Sequence, residues 1–76
     1  MKVTIYGSEQ CGYCTQAKQL CDEKNLEYEY HSVPDDPKLL EWFRDCGFRT
    51  VPQVFLHKDG YMSHIGGYEE LRSQFE

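Results

Sequence analysis

Two cysteines near the amino terminus, Cys11 and Cys14, are separated by two residues. The stretch before them, KVTIY at 2–6, is rich in β-branched residues and predicts a strand. Residues 11–24 then repeat their apolar positions at three- and four-residue steps, which predicts a helix. Positions three apart on a helix have Cα atoms about 5 Å apart, within the range that a disulfide accepts. The pair could therefore be a structural disulfide, half of a metal site or a redox pair.

The position of Cys11 at the start of the predicted helix favours redox chemistry. A thiolate, not a thiol, attacks a disulfide, and an ordinary cysteine with a pKa of about 8.5 is mostly protonated at neutral pH. The free N–H groups and the positive dipole at a helix N-terminus stabilise the anion. We therefore predict that Cys11 is the nucleophile and that Cys14, one turn further in, is its partner.

The other potential metal ligands do not complete a metal motif. A zinc site generally needs four ligands, and the candidates besides the pair are Cys21, Cys46, His31, His57 and His64. None of them forms a second C-x-x-C or an H-x-x-x-H pair, so the sequence predicts no metal site. We expect Cys21 to pack on a helix face, Cys46 to be a buried thiol near a helix end, and the histidines to be ordinary polar residues.

Length and charge exclude several classes of protein. The 76 residues predict one domain, 1–76. The 8 basic and 13 acidic residues give a net charge of −5, which argues against nucleic acid as a partner. No apolar run is long enough to span a membrane, and MKVTIYG lacks a signal-peptide layout, so we expect a reducing cytoplasm. Cysteines in that compartment do not predict a structural disulfide framework.

The apolar patterns and turn signals predict an α/β protein. The expected elements are strands at 2–6, 27–33, 53–57 and 61–65, with helices at 11–24, 38–46 and 68–75. Asp36 and Pro37 are the expected start of the second helix, and KDG at 58–60 is a hairpin turn. The order β-α-β-α-β-β-α predicts a four-stranded mixed sheet flanked by three helices.

Three segments in this order resemble the glutaredoxin family. They are CGYC at 11–14, RTVPQVF at 49–55 and HIGGYEEL at 64–71, and together they span nearly the whole chain. The resemblance implies a thioredoxin-like fold. The ending DGYMSHIGGYEELRSQF at 59–75 is similar to that of small phage-encoded glutaredoxins, which is consistent with a bacteriophage origin and a place in the host cytoplasm.

The resemblance also implies an activity. Family members are glutathione-dependent thiol–disulfide oxidoreductases that reduce protein disulfides or glutathione mixed disulfides, and ribonucleotide reductase is an expected substrate. Glutathione would be a co-substrate, with no tightly bound cofactor, and the protein would act as a monomer. By this resemblance Cys11 and Cys14 are the catalytic residues.

The family pattern further implies a glutathione site and a cis peptide bond between Val51 and Pro52. The backbone of Val51 would pair with an extended thiol peptide. The turn before the last helix would bind the γ-glutamyl carboxylate at the helix N-terminus. The expected glutathione contacts are Tyr13, Arg49, Thr50, Val51, Pro52, Gly67, Tyr68 and Glu69.

Two positions depart from the family pattern and keep alternatives open. Glu9 stands where family members often carry a basic residue, which favours a glutaredoxin-like thioredoxin reduced by thioredoxin reductase. Gly12 stands where proline is common. A loosened site of this kind sometimes holds a [2Fe–2S] cluster between two subunits in the family, so a dimeric cluster-binding form is a further alternative.

Overall fold

The strands and helices follow the order predicted from the sequence. The computed structural model describes all residues, Met1–Glu76. Its elements are β1 (Lys2–Gly7), α1 (Gly12–Glu23), β2 (Glu27–Ser32), α2 (Pro37–Asp45), β3 (Gln53–Lys58), β4 (Tyr61–Gly66) and α3 (Tyr68–Phe75). A short 3-10 helix, Val33–Asp35, begins at the last residue of the strand predicted at 27–33. No helix is long and apolar enough to cross a membrane.

The four strands form one mixed sheet in the order β2-β1-β3-β4. β1 and β2 are parallel, as expected for two strands joined through α1 by a crossover connection. β3 runs antiparallel to both β1 and β4, and β3 and β4 are joined by the predicted hairpin. Its turn residues, Asp59 and Gly60, have φ angles of 53° and 82°, the left-handed values that a two-residue hairpin turn requires.

One face of the sheet packs against α1 and α3 and forms the main core. The fully or nearly fully buried members of this core are Val3, Ile5, Ala17, Leu20, Cys21, Val54 and Leu71. Cys21 is 0% exposed, which confirms its predicted packing role. Because strand side chains alternate between faces, the residues next to Val3, Ile5 and Val54 point to the opposite side.

The opposite face of the sheet carries an aromatic cluster that packs against α2. Its members are Tyr6, Trp42, Phe43, Phe48 and Phe55, with the rings of His31 and His64 at its rim. Phe43 is buried, whereas the ring of Trp42 lies at the rim against Tyr6 and is 38% exposed.

The sequence expectation for Cys46 was wrong. Cys46 lies near a helix end, as predicted, because it is the C-cap of α2. Its thiol is exposed, however, because Phe43 is the one residue that α2 buries and Cys46 lies past it at the end of the helix.

The start of α2 is determined by the expected capping residues. The carboxylate of Asp36 accepts hydrogen bonds from the backbone N–H groups of Lys38 and Leu39, at 3.1 and 3.3 Å. Pro37 occupies the first helical position, where its missing N–H is not needed. The helix ends before Gly47, whose φ is 85°.

Candidate active site

Cys11 is the N-cap residue of α1 and presents its sulfur to the free N–H groups of that helix. Its Sγ accepts a hydrogen bond from the backbone N–H of Cys14 at 3.2 Å. On the other side, the Cys11 thiol donates to the carbonyl oxygen of Val51, with an S···O distance of 3.7 Å. The sulfur is half-buried, so it remains open to a substrate. This is the arrangement that the sequence predicted for a nucleophilic thiol.

Cys14 has the same side chain in a different environment. It is 0% exposed and packs beneath Cys11 against the end of β1. Burial, and then the neighbouring Cys11 sulfur, raise the pKa of Cys14 from 9.0 to about 12. The backbone of Ser8 and the charge of Lys18 oppose that shift in the pKa. At neutral pH Cys14 is therefore a protonated thiol that stays out of contact with solvent.

The end of β1 leaves room for Cys14 only because residue 7 is glycine. A Cβ at Gly7 would lie 2.7 Å from the Cys14 sulfur and 3.0 Å from the Tyr30 ring. The first distance is shorter than real Cβ contacts and the second is tighter than most of them, so the absent side chain allows the close approach of the helix to the strand.

A cavity of about 300 Å³ opens beside the cysteines. It is lined by Tyr13, Thr50, Val51, Pro52, Gln53, Gly66, Gly67, Tyr68, Glu69 and Glu70. Seven of the eight residues that the sequence assigned to glutathione lie in this lining. The eighth, Arg49, is exposed and lies outside the lining. The peptide bond between Val51 and Pro52 is cis, as the family resemblance implied.

The cavity combines an aromatic wall with the N-terminus of α3. The rings of Tyr13 and Tyr68 stack with their centroids 6.0 Å apart, and Tyr13 is 57% exposed. Gly67 is the N-cap of α3 and has no side chain to satisfy the first N–H groups of the helix. Those N–H groups and the helix dipole make the end of the cavity suitable for a carboxylate.

Three lining residues were not predicted from the sequence, namely Gln53, Gly66 and Glu70. The Gln53 amide donates to the Thr50 carbonyl at 3.0 Å, and its oxygen lies 2.7 Å from Nε2 of His64. The Glu70 side chain folds back against Gly66, where a Cβ would lie 2.7 Å from its Cγ. The third position of a helix is where Glu commonly reaches back to the N-cap, and this was the available signal for Glu70.

The ionic groups near the cavity are mostly acidic. Glu69 and Glu70 both lie in its lining, and Glu69 forms an ion pair with Arg72 at 2.9 Å. Arg49 forms no ion pair within the chain. Arg49 is therefore free to attract an anion, against the field of the neighbouring carboxylates.

No group of three or more His, Cys, Asp and Glu side chains lies together in a way that could hold a metal ion. The [2Fe–2S] alternative does not depend on such a group, because its cluster would be shared between Cys11 of two subunits and two glutathione molecules.

Comparisons with known proteins agree with the observed fold. A buried and a half-exposed cysteine at a helix N-terminus, beside a cis-proline on a mixed four-stranded sheet, define a redox protein of the thioredoxin-like fold. The family model of glutaredoxin matches residues 3–60. A glutaredoxin of Pseudomonas aeruginosa is 33% identical over 72 residues, which cover 93% of this chain and 81% of that protein. The chain belongs to the glutaredoxin family.

Two solved structures show the range of chemistry among its neighbours. The glutaredoxin-like protein NrdH-redoxin of Escherichia coli, described by its thioredoxin-like activity profile, has a TM-score of 0.75 and 25% identity. That match covers 100% of this chain and 96% of NrdH-redoxin. A buckwheat glutaredoxin–glutathione complex has a TM-score of 0.74 and 26% identity, covering 95% of this chain and 66% of that one.

Proposed function

We propose that the protein is a glutathione-dependent thiol–disulfide oxidoreductase that reduces protein disulfides or glutathione mixed disulfides. It would act as a monomer in a reducing cytoplasm, with ribonucleotide reductase among its substrates. One observation carries the proposal: the Cys11 sulfur lies 3.7 Å from the Val51 carbonyl oxygen, and Val51 lines the cavity that ends at the N-terminus of α3. A thiol peptide lying in the cavity would have its sulfur beside Cys11.

In the first step the Cys11 thiolate attacks one sulfur of the substrate disulfide. A bond forms between Cys11 and that sulfur, the substrate disulfide breaks, and the other sulfur leaves as a thiolate that takes up a proton. The Cys14 N–H, 3.2 Å from Cys11 Sγ, stabilises the anion before the attack. The exposed ring of Tyr13 would pack beside the sulfur of the bound peptide.

In the second step Cys14 resolves the mixed disulfide. Its thiol loses a proton and attacks Cys11 Sγ, which releases the reduced substrate and leaves a disulfide between Cys11 and Cys14. Two glutathione molecules then restore the dithiol by two exchanges and become glutathione disulfide. For a substrate that is itself glutathionylated, Cys11 and one glutathione suffice.

The glutathione contacts follow the chemistry of the cavity. The backbone of Val51 would pair with the peptide, and the N-terminus of α3 at Gly67, Tyr68 and Glu69 would bind the γ-glutamyl carboxylate. Thr50 and Pro52 would form the wall next to Val51. Arg49 would attract the second carboxylate of the peptide through a charge-assisted contact.

A second function, reduction by thioredoxin reductase, is favoured by the charges around the site. Glu9 precedes the cysteines, and Glu69 and Glu70 line the cavity, so an anionic peptide meets several carboxylates. The similarity to NrdH-redoxin agrees with this alternative. The fold and the roles of Cys11 and Cys14 are the same in both cases.

A coupled assay separates the two electron donors. Reduction of hydroxyethyl disulfide is followed by NADPH oxidation, with glutathione and glutathione reductase in one reaction and thioredoxin reductase alone in the other. We expect turnover with glutathione. Turnover only in the reaction with thioredoxin reductase, and none with glutathione, would overturn the glutathione site and keep the dithiol mechanism.

The role of Arg49 is tested with a matched arginine. We expect Arg49→Met to raise the KM for glutathione about twofold to fivefold, because an exposed charge pair contributes up to roughly 1 kcal/mol. Arg44→Met removes the same charge from the last turn of α2, away from the cavity, and is expected to leave the KM unchanged. Equal KM values for the two variants would contradict the assignment of Arg49.

A further inference from the structure

Lys18 is a half-buried cation that the mechanism above does not use. It lies on α1 one turn after Cys14, so the two side chains occupy neighbouring positions on one helix face. Its Nζ lies 4.1 Å from the centroid of the Tyr30 ring. Lys18 forms no ion pair within the chain, so the ring of Tyr30 holds its ammonium in place.

The Tyr30 ring connects this ammonium to the resolving thiol. The ring edge of Tyr30 and the sulfur of Cys14 lie 3.0 and 2.7 Å from the same point, the position of a Cβ on Gly7. The ring edge and the sulfur are therefore near neighbours, with the cation seated on the face of the same ring. The ring of Tyr30 packs against the main core, and its hydroxyl is buried with no hydrogen-bond partner.

We propose that Lys18 is a positioning residue for the resolving step, whose ammonium, seated on Tyr30, stabilises the Cys14 thiolate that attacks the mixed disulfide. This inference rests on the dithiol mechanism proposed above. It deepens that mechanism by naming the cation that acts on Cys14. Such a cation matters here because Glu9 stands where the family pattern has a basic residue before Cys11.

The need for such a cation follows from the surroundings of Cys14. Burial raises the pKa of Cys14 to about 12, so its thiolate forms at a free-energy cost at neutral pH. The Cys11 sulfur, on the loop before α1, contributes to this raised pKa, whereas the backbone of Ser8 and the charge of Lys18 act to lower it. Glu9 and Asp35 face Tyr30 from two other segments and add negative potential. Lys18 is the positively charged side chain among those that shift the pKa of Cys14.

The two steps can be observed separately with a neutral disulfide, dipyridyl disulfide. Cys11 attacks the reagent, a bond forms between Cys11 and one pyridyl sulfur, and one molecule of thiopyridone leaves with the thiol proton. Cys14 then attacks Cys11 Sγ, and the second thiopyridone leaves with the second proton. The protein loses two electrons and the reagent gains them, so each step releases one molecule of the ultraviolet-absorbing product.

The experiment is a stopped-flow single turnover with one equivalent of reagent across a pH series. All variants carry Cys46→Ala, because the exposed Cys46 thiol would react with the reagent. Lys18→Met is the test, Lys18→Arg is the conservative rescue, and Lys24→Met is the matched control, since Lys24 is the exposed C-cap of the same helix. Tyr30→Phe keeps the ring and removes the hydroxyl.

We expect Lys18→Met to slow the second release about twofold to fivefold at neutral pH, because a partly solvated charge pair contributes up to roughly 1 kcal/mol. The pH profile of that release should move to higher pH, while the rate of the first release stays unchanged. Lys18→Arg, Lys24→Met and Tyr30→Phe should retain the second phase. A loss of packing alone would not move the pH profile of one step.

Four outcomes would count against the inference or its foundation. An unchanged second phase in Lys18→Met overturns the role of Lys18, and so does an equal effect of Lys24→Met. Slowing by Tyr30→Phe with no effect of Lys18→Met overturns it as well, because the hydroxyl would then be the active group. If the parent protein shows no first phase, the proposed dithiol function itself is wrong. The assay contains no glutathione, so this result does not depend on which electron donor the protein uses.

Discussion

Cys11 and Cys14 have the same side chain, and they differ in exposure because of their positions along α1. Cys11 caps α1 and is half-buried, whereas Cys14, one turn later, is fully buried with a pKa raised to about 12. The exposed sulfur can meet a substrate, and the buried sulfur can meet only Cys11. This difference in exposure supports the proposed attacking role of Cys11 and the proposed resolving role of Cys14.

Single replacements of the two cysteines should therefore have unequal effects. We expect Cys11→Ser to abolish reduction of both protein disulfides and glutathione mixed disulfides, because no other thiol faces the cavity. Cys14→Ser should retain release of glutathione from a glutathionylated peptide, since that reaction needs only Cys11 and free glutathione.

The measurement is the initial rate with each of the two substrates under the glutathione-coupled assay. Cys46→Ser is the control, because Cys46 is exposed at the end of α2 and takes no part in the mechanism. Wild-type activity in Cys11→Ser would contradict the assignment of the nucleophile.

At the scale of elements, the site depends on how closely α1 approaches the end of β1. Gly7 is the last residue of β1, and a Cβ there would lie 2.7 Å from the Cys14 sulfur. We expect Gly7→Ala to lower the free energy of unfolding by about 1–3 kcal/mol, the usual cost of overpacking a buried contact. Chemical denaturation of the reduced protein measures this change.

Gly12 supplies the matched control for that substitution. It is the first residue of α1, and a Cβ at Gly12 would have no heavy atom within 4 Å. Gly12→Ala should leave the stability equal or raise it by up to about 1 kcal/mol, because alanine is the better helix former. A loss of stability in Gly12→Ala as large as that in Gly7→Ala would contradict the steric explanation.

The elements that the sequence predicted well have strong local signals. Asp36 and Pro37 mark the start of α2, and the turn at 58–60 appears where KDG predicted it. Cys46 was misplaced because its burial depends on where α2 lies on the sheet, and apolar periodicity does not contain that information. The position of Glu70 in the site was missed for a similar reason. Its side chain packs against Gly66 because of how the chain turns between β4 and α3, which the sequence pattern does not show.

At the scale of the whole molecule, the buried ionisable groups make the stability depend on pH. Burial raises the pKa of Cys14 to about 12 and that of Cys21 to about 11, whereas both thiols ionise near 9.0 when solvated. Above pH 9.0 the unfolded chain loses protons that the folded chain keeps. The free energy of unfolding should therefore fall as the pH rises from that value, by up to about 1.4 kcal/mol per pH unit for each group.

Urea unfolding of the reduced protein at a series of alkaline pH values tests this expectation. Below the pKa of the unfolded thiols both states keep their protons. The two thiols should therefore cause no pH dependence of the free energy of unfolding in that range. The protein with a Cys11–Cys14 disulfide is the control, because Cys14 can no longer ionise and the decline should be shallower. Equal slopes for the two redox forms would contradict the raised pKa of Cys14.

The net charge of −5 also predicts how the protein responds to salt. Glutathione is an anion at neutral pH, and it must approach a cavity that contains Glu69 and Glu70, with Glu9 before the cysteines. Salt screens such repulsion over a Debye length of about 10 Å at 0.1 M. We expect kcat/KM for glutathione to rise about twofold to threefold from low to moderate ionic strength, while the rate with neutral mercaptoethanol stays constant.

Glu9→Gln identifies the source of this salt dependence. The variant should have a higher kcat/KM for glutathione at low salt and a weaker response to added salt, because one of the repelling charges is gone. Glu23→Gln, which removes an equal charge from the far end of α1, should behave like the wild type. A kcat/KM that falls as salt is added would mean that attraction by Arg49 outweighs the carboxylates, and the acidic surroundings would then no longer favour thioredoxin reductase over glutathione as the electron donor.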